Sequence, residues 1–173
     1  SKCFGPDLRF FLPFLDVTDS YSMTGDVEYT GARVSVHGLD LHGGPVHVKG
    51  SVDVTGLDGQ TPLYLDVLLQ DSRAAYADVQ RRMRFLYLPQ LPFLGTTYVK
   101  HLHMKGRPTD SLMFDIDGSD EVGEIRGAMT LHLNTAPMAY SLHADVRRGN
   151  LTPFSSEFSQ CNLNGRVDIE GQG

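Results

Sequence analysis

From Gly25 onward apolar and polar residues alternate along the chain. Val27 and Tyr29 stand two apart, Ala32, Val34 and Val36 resume in shifted phase after Gly31, and Val46, Val48, Val52 and Val54 interleave with His47, Lys49, Ser51 and Asp53 around Gly50. Apolar residues at period two predict strands with one oily and one polar face. Gly31 reads as a bulge, Gly38 and Gly43-Gly44 as turns. The alternation continues through Leu65, Val67 and Leu69, through Tyr98, Leu102 and Met104 on a face with Lys100, and through Leu112, Phe114 and Ile116 between aspartates. It closes with Ile125, Met129 and Leu131, then Tyr140, Leu142, Ala144 and Val146, and last Leu163, Val167 and Ile169.

Three stretches interrupt this period. Residues 71–84 place Ala75, Val79, Met83 and Leu86 at helical spacing behind a capping Asp71 or Ser72, which predicts one amphipathic helix. Residues 7–15, stopped by Pro13, and residues 151–158 predict short helical turns. The stretches 25–56 and 123–150 read as copies of one strand-turn-strand pattern, as in a sheet that grows by addition.

Single-faced strands must cover their oily side, and one helix about 10 Å wide cannot cover many strands spaced about 4.8 Å apart. The sheet is therefore expected to face itself as a sandwich, a barrel or an open trough. Periodicity does not choose among these. Valine, alanine, methionine and glycine dominate the strand centres, whereas Phe10, Phe11, Phe14, Phe154 and Phe158 collect at the breaks. Small linings leave volume, which favours a mainly β antiparallel meander curled into an open groove.

Composition narrows the function. The 173 residues suit a single domain, and a net charge of -6 argues against nucleic acid as a partner. Cys3 and Cys161 have no zinc-ligand spacing, and a disulfide and two free thiols are both open. No run approaches the roughly 18 apolar residues of a membrane span. The chain opens at Ser1 and stops just after a strand pattern, which reads as a fragment of a longer, repetitive protein.

Candidate chemistry is sparse. His101 and His103 form an HxH pair about 7 Å apart on one strand face, without a third ligand in any motif, so they read as polar-face residues, as do His37, His47, His132 and His143. Asp115, Asp117, Asp120 and Glu121 contain part of a calcium-loop pattern but lack its helix and terminal glutamate spacing, and read as a solvated strand end. The Arg81–Arg84 run reads as a helix face or a weak contact for anionic head groups. No nucleophile elbow, phosphate loop or catalytic triad is present, so the expectation is a non-enzyme without catalytic residues, metal or cofactor.

The phrases "PDLRFFLPFL", "GDVEYTGARVSVHGLDLHGGPVHVKGSVDVTGL", "GEIRGAMTLHL" and "YSLHADVRRGNLTPF" together resemble the middle region of TamB-like proteins of the AsmA-like superfamily, in particular the Bacteroidetes type. The likeness covers nearly the whole chain through diffuse strand-and-glycine patterns. It implies a segment of a periplasmic protein anchored in the inner membrane, whose β-taco groove carries phospholipid toward the outer membrane. Outer-membrane protein assembly is the associated role. The implied partners are phospholipid, adjacent segments of the same longer chain and an outer-membrane assembly protein. The implied groove lining is Val27, Tyr29, Val46, Val48, Val52, Val54, Leu65, Val67, Met129, Leu131, Leu142, Val146, Val167 and Ile169. The helix at 71–84 departs from that pattern. The alternative from the residues alone is a closed β-sandwich, a structural or adhesin-type interaction module.

Overall fold

A computed structural model describes residues 2–4, 20–82, 95–150, 152 and 162–172. The alternating segments form β1 (Lys2–Phe4), β2 (Ser20–Thr30), β3 (Arg33–Gly43), β4 (Val46–Thr55) and β5 (Tyr64–Ala75). A short helix, α1 (Tyr76–Arg82), precedes β6 (Thr96–Arg107), β7 (Ser111–Ser119), β8 (Glu124–His132), β9 (Ala139–Asn150) and β10 (Asn162–Gln172). All ten strands lie in one sheet in chain order, each antiparallel to the next. The edges, β1 and β10, are not paired with each other, so the meander is open.

Register converts the sequence alternation into continuous rows. Val27 faces Val36, then Val52, then Val67, and the row runs on through Met104, Phe114, Met129, Leu142 and Ile169. A parallel row starts at Tyr29 and passes through Val34, Val54, Leu65, Gly106, Leu112, Leu131 and Tyr140. Direct cross-strand pairing of this kind is the unit of sheet stabilisation. The reverse face carries a matching polar row, with Asp40, Lys49, Gln70, His101, Asp117, Arg126, Asp145 and Arg166 in successive strands.

Burial is graded across this sheet. Leu112 is 2% exposed and Leu65 and Met104 are each 7%, whereas Val27 is 51% and Tyr29 70% exposed near one edge and Ile169 42% at the other. The core is therefore a strip over the central strands, and the same face opens toward both edges. Among the described residues, substantial contacts between elements run only between sheet neighbours and between α1 and β5.

Several details depart from the sequence expectations. Gly31 is not a bulge: with Ala32 it makes the turn between β2 and β3, which puts Val27 and Val36, and Tyr29 and Val34, directly opposite. The bulge of β3 lies between Val36 and Leu39, where Gly38 has φ 59°, so Gly38 is inside a strand and not in a turn. The helix begins at Tyr76 and not at Asp71. Ser72–Ala75 continue β5 because their backbones pair with Val99–Thr96 of β6, and Asp71, with φ 44°, sits in the irregularity opposite Val48 in place of capping a helix. A register shift between Val99 and His101 turns Tyr98 to the polar face opposite Ser119 and brings Val99 to the apolar one. The expected turns at 7–15 and, apart from Thr152, at 151–158, together with Met83, Arg84 and Leu86 of the expected helix and Cys161, lie outside the described residues.

Candidate functional site: the apolar face of the sheet

Each residue expected to line a groove falls on the same face. Val27, Val52, Val67, Met129, Leu142 and Ile169 share the first row, and Tyr29, Val54, Leu65 and Leu131 share the second. Val167 stands in a third row, opposite Ala144, and Val46, Val48 and Val146 lie nearer the strand ends, opposite Gly43, Leu41 and Ile125. Sequence reasoning left out Val36, Met104, Phe114, Leu112, Leu102 and Ile116, which complete the rows. The same period-two signal marks all six.

Two glycines shape this face. At Gly50 (φ 156°) a Cβ would collide with the Leu68 carbonyl oxygen and come within 2.9 Å of its carbon and 3.0 Å of Leu69 Cα. At Gly106 (φ 141°) it would strike the Ser111 carbonyl oxygen and come 3.1 Å from Leu112 Cα. The neighbouring backbone fills the space of a side chain at both points, so only glycine permits such close approach.

From β2 to β10 the first row crosses eight strand intervals of about 4.8 Å, a path of about 38 Å. That exceeds the thickness of one leaflet's hydrocarbon, about half of the 30 Å bilayer core. Along this row the nine side chains are all hydrocarbon or thioether.

The polar face is held by short-range pairs. Arg33 and Ser35 both donate to Asp53 Oδ1, Ser35 Oγ at 2.5 Å, and these two hydrogen bonds hold the Asp53 carboxyl below its ordinary pKa. His103 Nε2 lies 2.8 Å from Asp66 Oδ1 and His143 Nδ1 lies 2.7 Å from Asp168 Oδ1. The HxH pair thus has a carboxylate for His103, while His101 stands opposite Asp117 and Gln70. Asp120 Oδ1 accepts the Val122 and Gly123 amides at 2.8 and 3.1 Å, so this carboxylate builds the β7–β8 turn. Arg81 of the basic run pairs with Asp78 at 2.6 Å. A pocket of about 840 Å³ mixes Arg73, Lys100, Arg126 and Arg147 with Asp71, Asp117, Glu124 and Asp145, and so has no strong preference for either sign.

Among the described residues no helix is long and apolar enough to cross a membrane. Comparison of the chain with protein-family models, with curated proteins and with solved structures gives no match.

Proposed function

We propose that this chain is a segment of a TamB-like lipid-transport bridge, in which the apolar face forms a groove that carries phospholipid acyl chains between inner and outer membranes. The observation that carries the reading is the pair of apolar rows that start in β2 and run to β10 and β9, with no second sheet over them among the described residues. Burial of acyl methylenes stabilises by about 0.8 kcal/mol each, so a long uniform face holds a chain without any single strong site. Uniformity also leaves barriers to sliding low. The polar reverse face keeps such a segment in water, and the open edges at β1 and β10 are where adjacent segments of a longer chain would continue the groove. On this reading the protein is periplasmic, is anchored in the inner membrane outside this segment, works beside an outer-membrane assembly protein and is not an enzyme.

What favours the groove over a closed sandwich is the exposure of Val27, Tyr29 and Ile169 on the apolar face, since a sandwich buries its inner faces. The test is native mass spectrometry of the protein purified from a Gram-negative host. Co-purified phospholipid is expected, and Val27→Asp with Ile169→Asp, both at exposed positions that tolerate charge, lowers its occupancy while the protein stays folded by circular dichroism. Absence of lipid from the folded wild-type protein, or equal lipid in the double variant, refutes the proposal.

A further inference from the structure

The polar face holds a cluster that the groove does not use. Asp40 and His42 lie in β3 and His47 in β4, joined by a two-residue turn at Gly44 and Pro45 in which Gly44 has φ 55°. A turn this short fixes register, and it sets His42 directly opposite His47 and Asp40 opposite Lys49. Asp40 Oδ1 is 2.6 Å from His42 Nε2 and 3.1 Å from His47 Nε2. The two imidazoles stack with centroids 3.9 Å apart and planes 23° from parallel. One donor atom from each of the three residues lies within 4.8 Å of the other two.

We infer that Asp40, His42 and His47 form a surface site for a divalent transition metal of borderline softness, with Zn2+ as the reference ion. Two imidazoles already aim the same nitrogen at one carboxylate oxygen, and a cation takes the place of the protons that hold them together. Metal-ligand bonds of about 2.0–2.2 Å put tetrahedral donors about 3.3–3.6 Å apart, so each imidazole nitrogen needs to move away from Asp40 Oδ1 by no more than about 1 Å. The His42, His47 and Asp40 side chains are 54%, 20% and 34% exposed, which leaves the outward side open for water as a further ligand. The nitrogen-rich set suits Zn2+, Ni2+ and Cu2+ and does not suit Ca2+ or Mg2+, which need oxygen ligands. Lys49 Nζ, 4.0 Å from Asp40 Oδ2, leaves Oδ1 as the coordinating oxygen and weakens cation binding by its charge.

The test is calorimetric titration of the folded protein with ZnCl2 near neutral pH, with the histidine C–H resonances followed by NMR. One saturable equivalent is expected, with the His42 and His47 resonances moving together and affinity falling on acidification as protons compete for the imidazoles. His42→Ala, His47→Ala and Asp40→Asn each weaken binding by at least about 10-fold, and Lys49→Gln strengthens it roughly threefold. His143→Ala, which breaks a surface His-Asp pair of similar length (2.7 Å), leaves binding unchanged. The proposal is overturned if no saturable heat appears, if zinc binds His42→Ala and His47→Ala as tightly as wild type, as thiol-bound zinc would, or if His143→Ala is the variant that loses it.

Discussion

Replacing Gly50 by alanine tests how the apolar face is built. The added Cβ would overlap the Leu68 carbonyl oxygen and sit 3.0 Å from Leu69 Cα, and both are backbone atoms that cannot swing aside. Gly50 pairs with Leu69, and Lys49 with Gln70, so β4 must move away from β5 and weaken the ladder on either side of the contact. Two weakened backbone hydrogen bonds cost about 1 kcal/mol each, and the backbone conformation, at φ 156°, costs an alanine a further 1–3 kcal/mol. The expected destabilisation is about 3–5 kcal/mol, equivalent to a fall in Tm of roughly 10 °C or more for a chain of this length. Gly31→Ala is the control: nothing lies within 4 Å of its Cβ, so it melts at or slightly above the wild-type temperature. Thermal unfolding followed by far-ultraviolet circular dichroism measures both. A Gly50→Ala protein that melts within about 2 °C of wild type, near the shift for 0.5–1 kcal/mol, shows that the β4–β5 approach is not close.

Two further outcomes follow from polar side chains of the same strands. Ser72, 4% exposed, accepts the Lys49 amide at 2.9 Å, and its own proton lies within reach of the Lys49 and Gln70 carbonyls. Ser72→Ala leaves that amide unpaired beside the β4–β5 irregularity and destabilises by about 1–3 kcal/mol in urea unfolding, and Ser72→Thr, which keeps the hydroxyl, loses less. Asp53 has its pKa lowered by the Ser35 and Arg33 hydrogen bonds, so its stabilisation is fully present above the ordinary aspartate value near 3.9 and is lost as pH falls through that value toward the depressed one. Unfolding titrations from pH 6 to pH 2.5 are therefore expected to show a smaller acid loss in Asp53→Asn than in wild type, and equal slopes refute the role given to this carboxylate.

The face of the sheet was legible in the sequence because period-two alternation survives wherever a strand is regular. It failed where one residue is inserted. The shift between Val99 and His101 moved Tyr98 across the sheet, and a string of letters with a tyrosine, a lysine and a leucine at even spacing contains nothing that marks the insertion. The segment from Asp71 to Ala75 carried a genuine helical spacing, and pairing with β6 overrode it. The Asp40, His42 and His47 cluster was missed for a different reason. The two histidines are five residues apart, and only a two-residue turn at Gly44 and Pro45 makes them cross-strand partners. Taking Gly44-Pro45 as such a turn would have found it.

The order of the strands has a kinetic meaning as well. Each strand from β1 to β10 pairs with the one before it in the chain, and no pairing waits for a distant segment to arrive. Most β architectures fold slowly because loop closure over long separations precedes any reward. Here each hairpin rewards itself and then templates the next strand, so the chain can add structure in the order in which it emerges from a pore or ribosome. Melting runs the same path in reverse, fraying from β1 and β10 while the strip around Leu112 persists. Hydrogen exchange should accordingly slow from edge to centre strand by strand, as it does along a solenoid.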